Sequence, residues 1–508
     1  MHREKTARRR SRFIKLELGL TVFVGLIGCA SQPRFPAPIS TYQEDDCTVF
    51  VFDVDGNKQP DFWQYQSPDG RKTAIAYAET TGLPIQRIEL EKISPNDCPH
   101  FVLALDGVPF EIVDDMYREG HFRFFHWPSR VICCFPSMTD LALTQLFHAG
   151  KCVAYESDYF DRSANRMSDG NAVYLSGRNA PWSRRMAYRC SFWWDALAYL
   201  KPQTVFDHEM NGIWNAFHKV EEGRACAYSV ASAGLGTRGG RQAIRRYLET
   251  IDRLCEQILY ERKGRANITL LADHGHNLVE NWNVSFRDTL ERAGYRVTEE
   301  LNRPGDVVEV GYGLVTYASF CTNDPVGVAT CLLDHPDVEF ACYRDGEDAV
   351  VCSIEGQARI RKTETGYRYE FEGADPLGLT PILETVRETG KITPDGEIDE
   401  EALFAATIEH EYPDPLARIW TGLFELVEQP PDVVVNLRDG ACHGSSFFEK
   451  MIGHTASTHG SLNRMNSTTF VMTTLGELPP ALRSREVLPV LRRYFRPSRN
   501  LLDENIGQ

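Results

Sequence analysis

Between residues 99 and 300, short apolar runs (HFVLALDG, SRVICCFP, ACAYSVAS, ANITLLADHG) alternate with stretches of helical periodicity. The clearest helix covers 240–263. There Ile244, Tyr247, Leu248, Ile251, Leu254, Ile258 and Leu259 fall on one stripe, with charges opposite. Strands bounded by turn residues and separated by helices pack as a largely parallel sheet with both faces covered. In such a sheet, ligands bind outside the carboxyl ends of the strands. At 508 residues the chain can bury a full core in two or three structural units.

The rest of the chain reads differently. Residues 1–28 begin with a basic leader, MHREKTARRRSRFIK, and continue into the short, mostly apolar LELGLTVFVGLIG. The layout is that of a secretory signal, and LIGC resembles the lipobox of bacterial lipoproteins. That resemblance implies cleavage before Cys29, lipid on its sulfur, export, and anchoring to a bacterial membrane on its periplasmic or cell-surface side. The apolar stretch is too short to span a bilayer and carries Glu17. Residues 29–46 have the make-up of a tether, and 47–95 that of a small β-rich module with D-G and P-D-G turns. Within it, DVDGNKQPD spaces Asp53, Asp55, Asn57 and Asp61 somewhat like a calcium loop. Its glycine comes too early and no glutamate closes it, so a plain turn is expected. Residues 303–425 interrupt the alternation as an inserted α+β subdomain, and the α/β pattern returns over 426–508, beginning at PDVVVNLRDG. The core is thus expected in two parts, 96–302 and 426–508.

Charge narrows the partners. Without residues 1–28 the chain keeps 48 basic against 69 acidic residues, a formal charge of −21. Such a surface repels polyphosphate backbones, so binding to nucleic-acid polymers is not expected. A small anion still fits a site that carries its own metal charge. Thirteen cysteines remain besides Cys29, with no C-x-x-C pair, and export would allow some of them to form disulfides. Cys133 and Cys134, inside RVICCFP, read as core.

Four segments place polar residues at strand ends: Asp106 after FVLAL, Thr139 at the N-cap of a helix after RVICCFPSM, Asp273 and His274 after ITLLA, and His459 in HTASTHGSLN. Each alone has an ordinary explanation as turn, cap or loop residue. Together, in this order, Asp-Gly after a strand, FPSMT opening a helix, ADHGHN and a late STHG resemble the alkaline phosphatase superfamily, most closely its type I phosphodiesterase/nucleotide pyrophosphatase branch. The similarity covers roughly residues 99–302 and 430–475. It implies a three-layer α/β/α sandwich with a mostly parallel central sheet, two zinc ions and a metal-bound Thr or Ser nucleophile. It implies hydrolysis of a small phosphate ester or diester through a phospho-threonine. Carried over by residue, Asp106, Thr139, Asp273 and His274 make one complete zinc site, with Thr139 catalytic.

The other implied site departs from the pattern. Its Asp and His positions, in the expected loop SVASAGLGTRGG (229–240), fall on Ala233 and Thr237, so only His459 remains as a ligand. Asp207, His208 and Glu209 lie nearby but read as a helix start capped by Asp207. One zinc is therefore expected, with the second position short of ligands. Arg238, His276 and Asn277 are candidates for substrate contact, Arg238 as a replacement charge. His443 and His454 read as loop histidines. A hydrolase is weighed against a binding module that keeps the fold without turnover, and against a phosphoryl-group transferase.

Overall fold

The computed structural model describes residues 35–78 and 86–495. The signal and the first six residues of the tether, Cys29 included, lie outside them. The chain forms a mixed α/β fold built on a six-stranded and a nine-stranded sheet, preceded by a five-stranded one.

The six-stranded sheet has the order Arg224–Ser229, His100–Leu105, Asn267–Ala272, Thr468–Thr473, Ser129–Ile132, Ala481–Arg483. The first three are parallel. Thr468–Thr473 runs antiparallel to both its neighbours, and Ala481–Arg483 is parallel to Ser129–Ile132. The strands therefore all point one way except Thr468–Thr473. Every residue of His100–Leu105 and Asn267–Ala272 is buried. Side chains alternate between faces along a strand, so both faces are covered. Helices Phe110–Arg118 and Pro202–His218, together with the long helix Ala231–Glu261, contribute Ile112, Val205, Ile213, Ile244, Ile251 and other residues to this core.

One consequence locates the site. Asp106 and Asp273 directly follow their parallel strands and so lie at the carboxyl edge. Because Thr468–Thr473 is reversed, the loop that precedes it arrives at that same edge. His459 reaches the edge before its strand, whereas the carboxylates reach it after theirs.

Several local expectations change. Residues 231–239, expected as a loop, are helical and merge into the long helix across a break at Gly240 (φ 56°, ψ −150°). The helix Pro202–His218 starts with Pro202 in its first turn after Lys201, so Asp207 sits inside it rather than capping it. Ser40–Glu44, assigned to the tether, is the exposed edge strand of the N-terminal sheet. That sheet docks on the long helix through Lys72 Nζ to Glu256 Oε1 (2.5 Å) and the Tyr77 hydroxyl to the Tyr260 carbonyl (2.6 Å). Val433–Leu437, expected as the return of the core, lies inside the nine-stranded sheet between Tyr317–Thr322 and Val338–Asp345. A VVVNL run buried at every residue needs a neighbour on each side. The thirteen described cysteines are all free thiols. Among the described residues, no helix is long and apolar enough to cross a membrane.

Candidate metal centre

Asp106 and Asp273 stand at the ends of adjacent strands, where the apolar runs commit their backbones to the ladder and release the next residue at the edge. Asp273 Oδ1 accepts from the backbone N–H of Gly107 (2.9 Å) and of His274 (2.8 Å). Asp106 Oδ2 accepts from the Tyr228 hydroxyl (2.5 Å). The second oxygen of each carboxylate, Asp106 Oδ1 and Asp273 Oδ2, is buried with no hydrogen-bond partner among the described residues. His274 Nδ1 lies 2.9 Å from the carbonyl of Gly275 and donates to it, which leaves Nε2 as a lone pair. That nitrogen faces Asp106 Oδ1 at 3.5 Å, Asp273 Oδ2 at 3.5 Å and Thr139 Oγ1 at 3.1 Å.

Three buried acceptor atoms thus point at one another, and only the Thr139 hydroxyl can donate among them. Ligand atoms about 2.0–2.1 Å from a tetrahedral zinc are spaced about 3.3–3.4 Å apart, close to the observed separations. Asp106, Asp273 and His274 also form the buried three-ligand cluster of the described residues. The electrostatics agree. Burial, reinforced by the charge of Asp273, holds the Asp106 carboxyl well above its ordinary range, burial pushes Asp273 up to about 6, and burial pushes His274 down to about 4. A divalent cation removes the conflict that these shifts express.

Thr139 is the first residue of the helix Thr139–Leu146. Met138, not Thr139, is its N-cap, and no side chain caps the helix. The cap role offered by the sequence is therefore absent, and the hydroxyl turns to His274 instead. The leading N–H groups of the helix lie at the same edge, where an anion can accept from them. Asp140 is held aside by Trp182 Nε1 (2.9 Å), and burial raises it to about 6.

Arg418, from the helix Pro415–Phe424, was not legible as a site residue. Its guanidinium, 5 % exposed, donates to the carbonyls of Pro413 (2.9 Å), Leu462 (3.1 Å) and Cys134 (3.2 Å), and to the hydroxyls of Ser137 (3.4 Å) and Ser467 (2.5 Å). It ties the loop before Thr139 to the loop after His459. Arg418→Leu strands these acceptors, and we expect it to cost roughly 3 kcal/mol or more of stability. Turnover should fall more than apparent substrate affinity, as Thr139 loosens. Denaturant melts and steady-state kinetics check both, and an unchanged midpoint contradicts the role.

The remaining candidates separate. Ala233 and Thr237 are buried in the first turns of the long helix and supply neither carboxylate nor imidazole. Glu209 is fully buried and spent on that helix's start, accepting from Val230 N (3.0 Å), Ala231 N (3.0 Å) and Ser229 Oγ (2.5 Å). Arg238 is exposed and donates to the Ile452 carbonyl. Asn277, a candidate for substrate contact, is committed to clamping two loops through Thr458 N (3.0 Å) and Asn281 (2.7 Å). His443 bonds the Val284 carbonyl (3.0 Å), and His454 pairs with Glu280 (3.1 Å) at the surface. His459 stacks on His274, ring centroids 3.9 Å apart. His276 lies beyond it, fully buried. Tyr228 was missed as well, though it sits in ACAYSVAS, one residue before the end of a strand beside that of Asp106.

No protein-family model and no curated protein matches the chain. Among solved structures it is similar to human ectonucleotide pyrophosphatase/phosphodiesterase 5, at 11% identity over 77% of this chain and 93% of that one, with a TM-score of 0.43. It is also similar to phosphonoacetate hydrolase from Sinorhizobium meliloti 1021, at 14% identity over 79% and 95%, with a TM-score of 0.40. Likeness at this level decides neither fold nor activity, and the side chains carry the functional case.

Proposed function

We propose that this chain is a metal-dependent hydrolase of small phosphate esters or diesters, of the alkaline phosphatase-like kind, with Thr139 as nucleophile. The observation that carries the proposal is the convergence of Asp106 Oδ1, Asp273 Oδ2 and the Thr139 hydroxyl on His274 Nε2, with no donor among the described residues to satisfy the carboxylate oxygens. A bound divalent cation, zinc by its mixed oxygen and nitrogen donors, supplies positive charge there and lowers the pKa of the hydroxyl. The residues do the rest. Tyr228 and the Gly107 N–H fix the two carboxylates, Gly275 fixes the tautomer of His274, and Arg418 fixes the loop that presents Thr139.

In the first step the Thr139 Oγ–P bond forms, the P–O bond to the leaving alcohol breaks, and the hydroxyl proton passes to solvent. The helix N–H groups hold the phosphoryl oxygens meanwhile. Water then attacks phosphorus, releasing phosphate or its monoester and restoring the hydroxyl. A scaffold that only bound ligands has no use for a hydroxyl set against the His274 lone pair beside two buried carboxylates, which favours chemistry over the binding-module reading.

The test is direct. Purified chain should contain zinc and hydrolyse an aryl phosphodiester or phosphomonoester, lose that activity on chelation, and regain it when zinc is restored. Metal-free protein with undiminished activity rules the proposal out.

A further inference from the structure

His276 has a nitrogen that nothing among the described residues answers. The ring is 0% exposed. Its Nδ1 lies 3.0 Å from Ser457 Oγ, which also accepts from Leu278 N (3.0 Å) and donates to Asn277 Oδ1 (3.3 Å). With the serine proton used on Asn277, the imidazole proton sits on Nδ1 and Nε2 is a bare lone pair. Among the described residues that Nε2 has no hydrogen-bond partner, an arrangement that costs free energy unless something binds there.

Two glycines pack against this ring. A Cβ on Gly107 (φ +63°) would lie 2.3 Å from His276 Nε2, and one on Gly236 would lie 3.4 Å from Cε1. The ring faces His459, whose own Nδ1 donates to the Ser137 carbonyl (2.8 Å), leaving its Nε2 deprotonated too. The two ring centroids are 5.4 Å apart. Two imidazoles sharing one tetrahedral zinc place their centroids about 5.2 Å apart, from bonds of about 2.0 Å. His459 cannot share an ion with His274 in this way, because those rings are stacked 17° from parallel and their in-plane lone pairs do not meet.

We propose that His276 and His459 hold a second divalent cation beside the first, His276 standing in for the ligands that Ala233 and Thr237 do not provide. This rests on the proposed function. Two protein nitrogens leave the other positions to water or phosphoryl oxygens, so the second ion binds more weakly than the first and is strengthened by phosphate.

Zinc and cobalt(II) titrations of the full chain, with bound metal counted after gel filtration and cobalt followed by its visible absorption, test the inference. Wild type should bind two equivalents, the second at least ~10-fold more weakly and tightened by inorganic phosphate. His276→Ala and, separately, His459→Ala should each keep the tight equivalent and lose the weak one, with thermal melts confirming that both fold. One equivalent in wild type, or two in His276→Ala, overturns the second site and leaves the first intact. No bound metal in wild type instead overturns the proposed function together with this inference.

Discussion

Thr139→Ala is expected to lower phosphodiester turnover by at least ~10³-fold while the protein keeps its tight cation. The hydroxyl is one of four groups around the acceptor cluster, and the other three form the buried ligand set without it. Removing it deletes the attacking atom and leaves the charge that holds the ion. What survives is attack by water on a positioned substrate, slower by the loss of a covalent route. Thr139→Ser keeps the oxygen and should retain a substantial part of the rate. The stability change should be small, because Thr139 makes no cap bond that an alanine would lose. Kinetics paired with zinc content decide the matter. Turnover in Thr139→Ala within tenfold of wild type, with zinc still bound, removes the hydroxyl from the mechanism.

Asp273→Asn should separate stability from function, in opposite directions. Burial raises the Asp273 carboxyl to about 6 from an ordinary value near 3.8. A carboxyl raised in the folded state favours folding fully only below its unfolded pKa, and that benefit is lost as pH climbs through about 6. Above that window, metal-free wild type carries a penalty of roughly 2–3 kcal/mol that the amide variant lacks. At pH 8 and without metal, Asp273→Asn should therefore melt higher than wild type, and at pH 4 the difference should shrink. Added zinc should reverse the order, since wild type gains stability by mass action and the variant does not. Below pH 6 protons compete for the same oxygens, so zinc affinity of wild type should fall with pH. Melts at both pH values, with and without zinc, give the comparison. A variant that melts lower than wild type in the metal-free state at pH 8 contradicts the picture of a site strained by its own charges.

The carboxylates and His274 were legible because an apolar strand that stops at Asp-Gly or Asp-His announces an edge position. Thr139 was legible for a similar reason, although the cap falls on Met138. What stayed hidden comes from distant chain. Tyr228 reaches Asp106 from 122 residues away and Arg418 reaches Cys134 from 284, and neither separation leaves a local pattern. Residues 231–239 misled through composition, since glycines 234, 236 and 239 weaken a helix in isolation. Packing reverses that preference. A Cβ at Gly234 would lie 2.1 Å from the Ala198 carbonyl, so the bare backbone is what lets the helix seat there. The nine-stranded sheet shows the limit of reading order from sequence, because Val433–Leu437 inserts between strands written about a hundred residues earlier.

The reversed strand Thr468–Thr473 sits between Asn267–Ala272 and Ser129–Ile132. It is the rung that joins the half of the ladder leading to Thr139 to the half bearing the carboxylates. Until a ribosome has made Thr468–Thr473, Thr139 and Asp106 belong to pieces with no ladder between their strands. A nascent chain can therefore gather Asp106, Asp273 and His274 from adjacent strands, while Thr139 joins them as one of the last acts of folding.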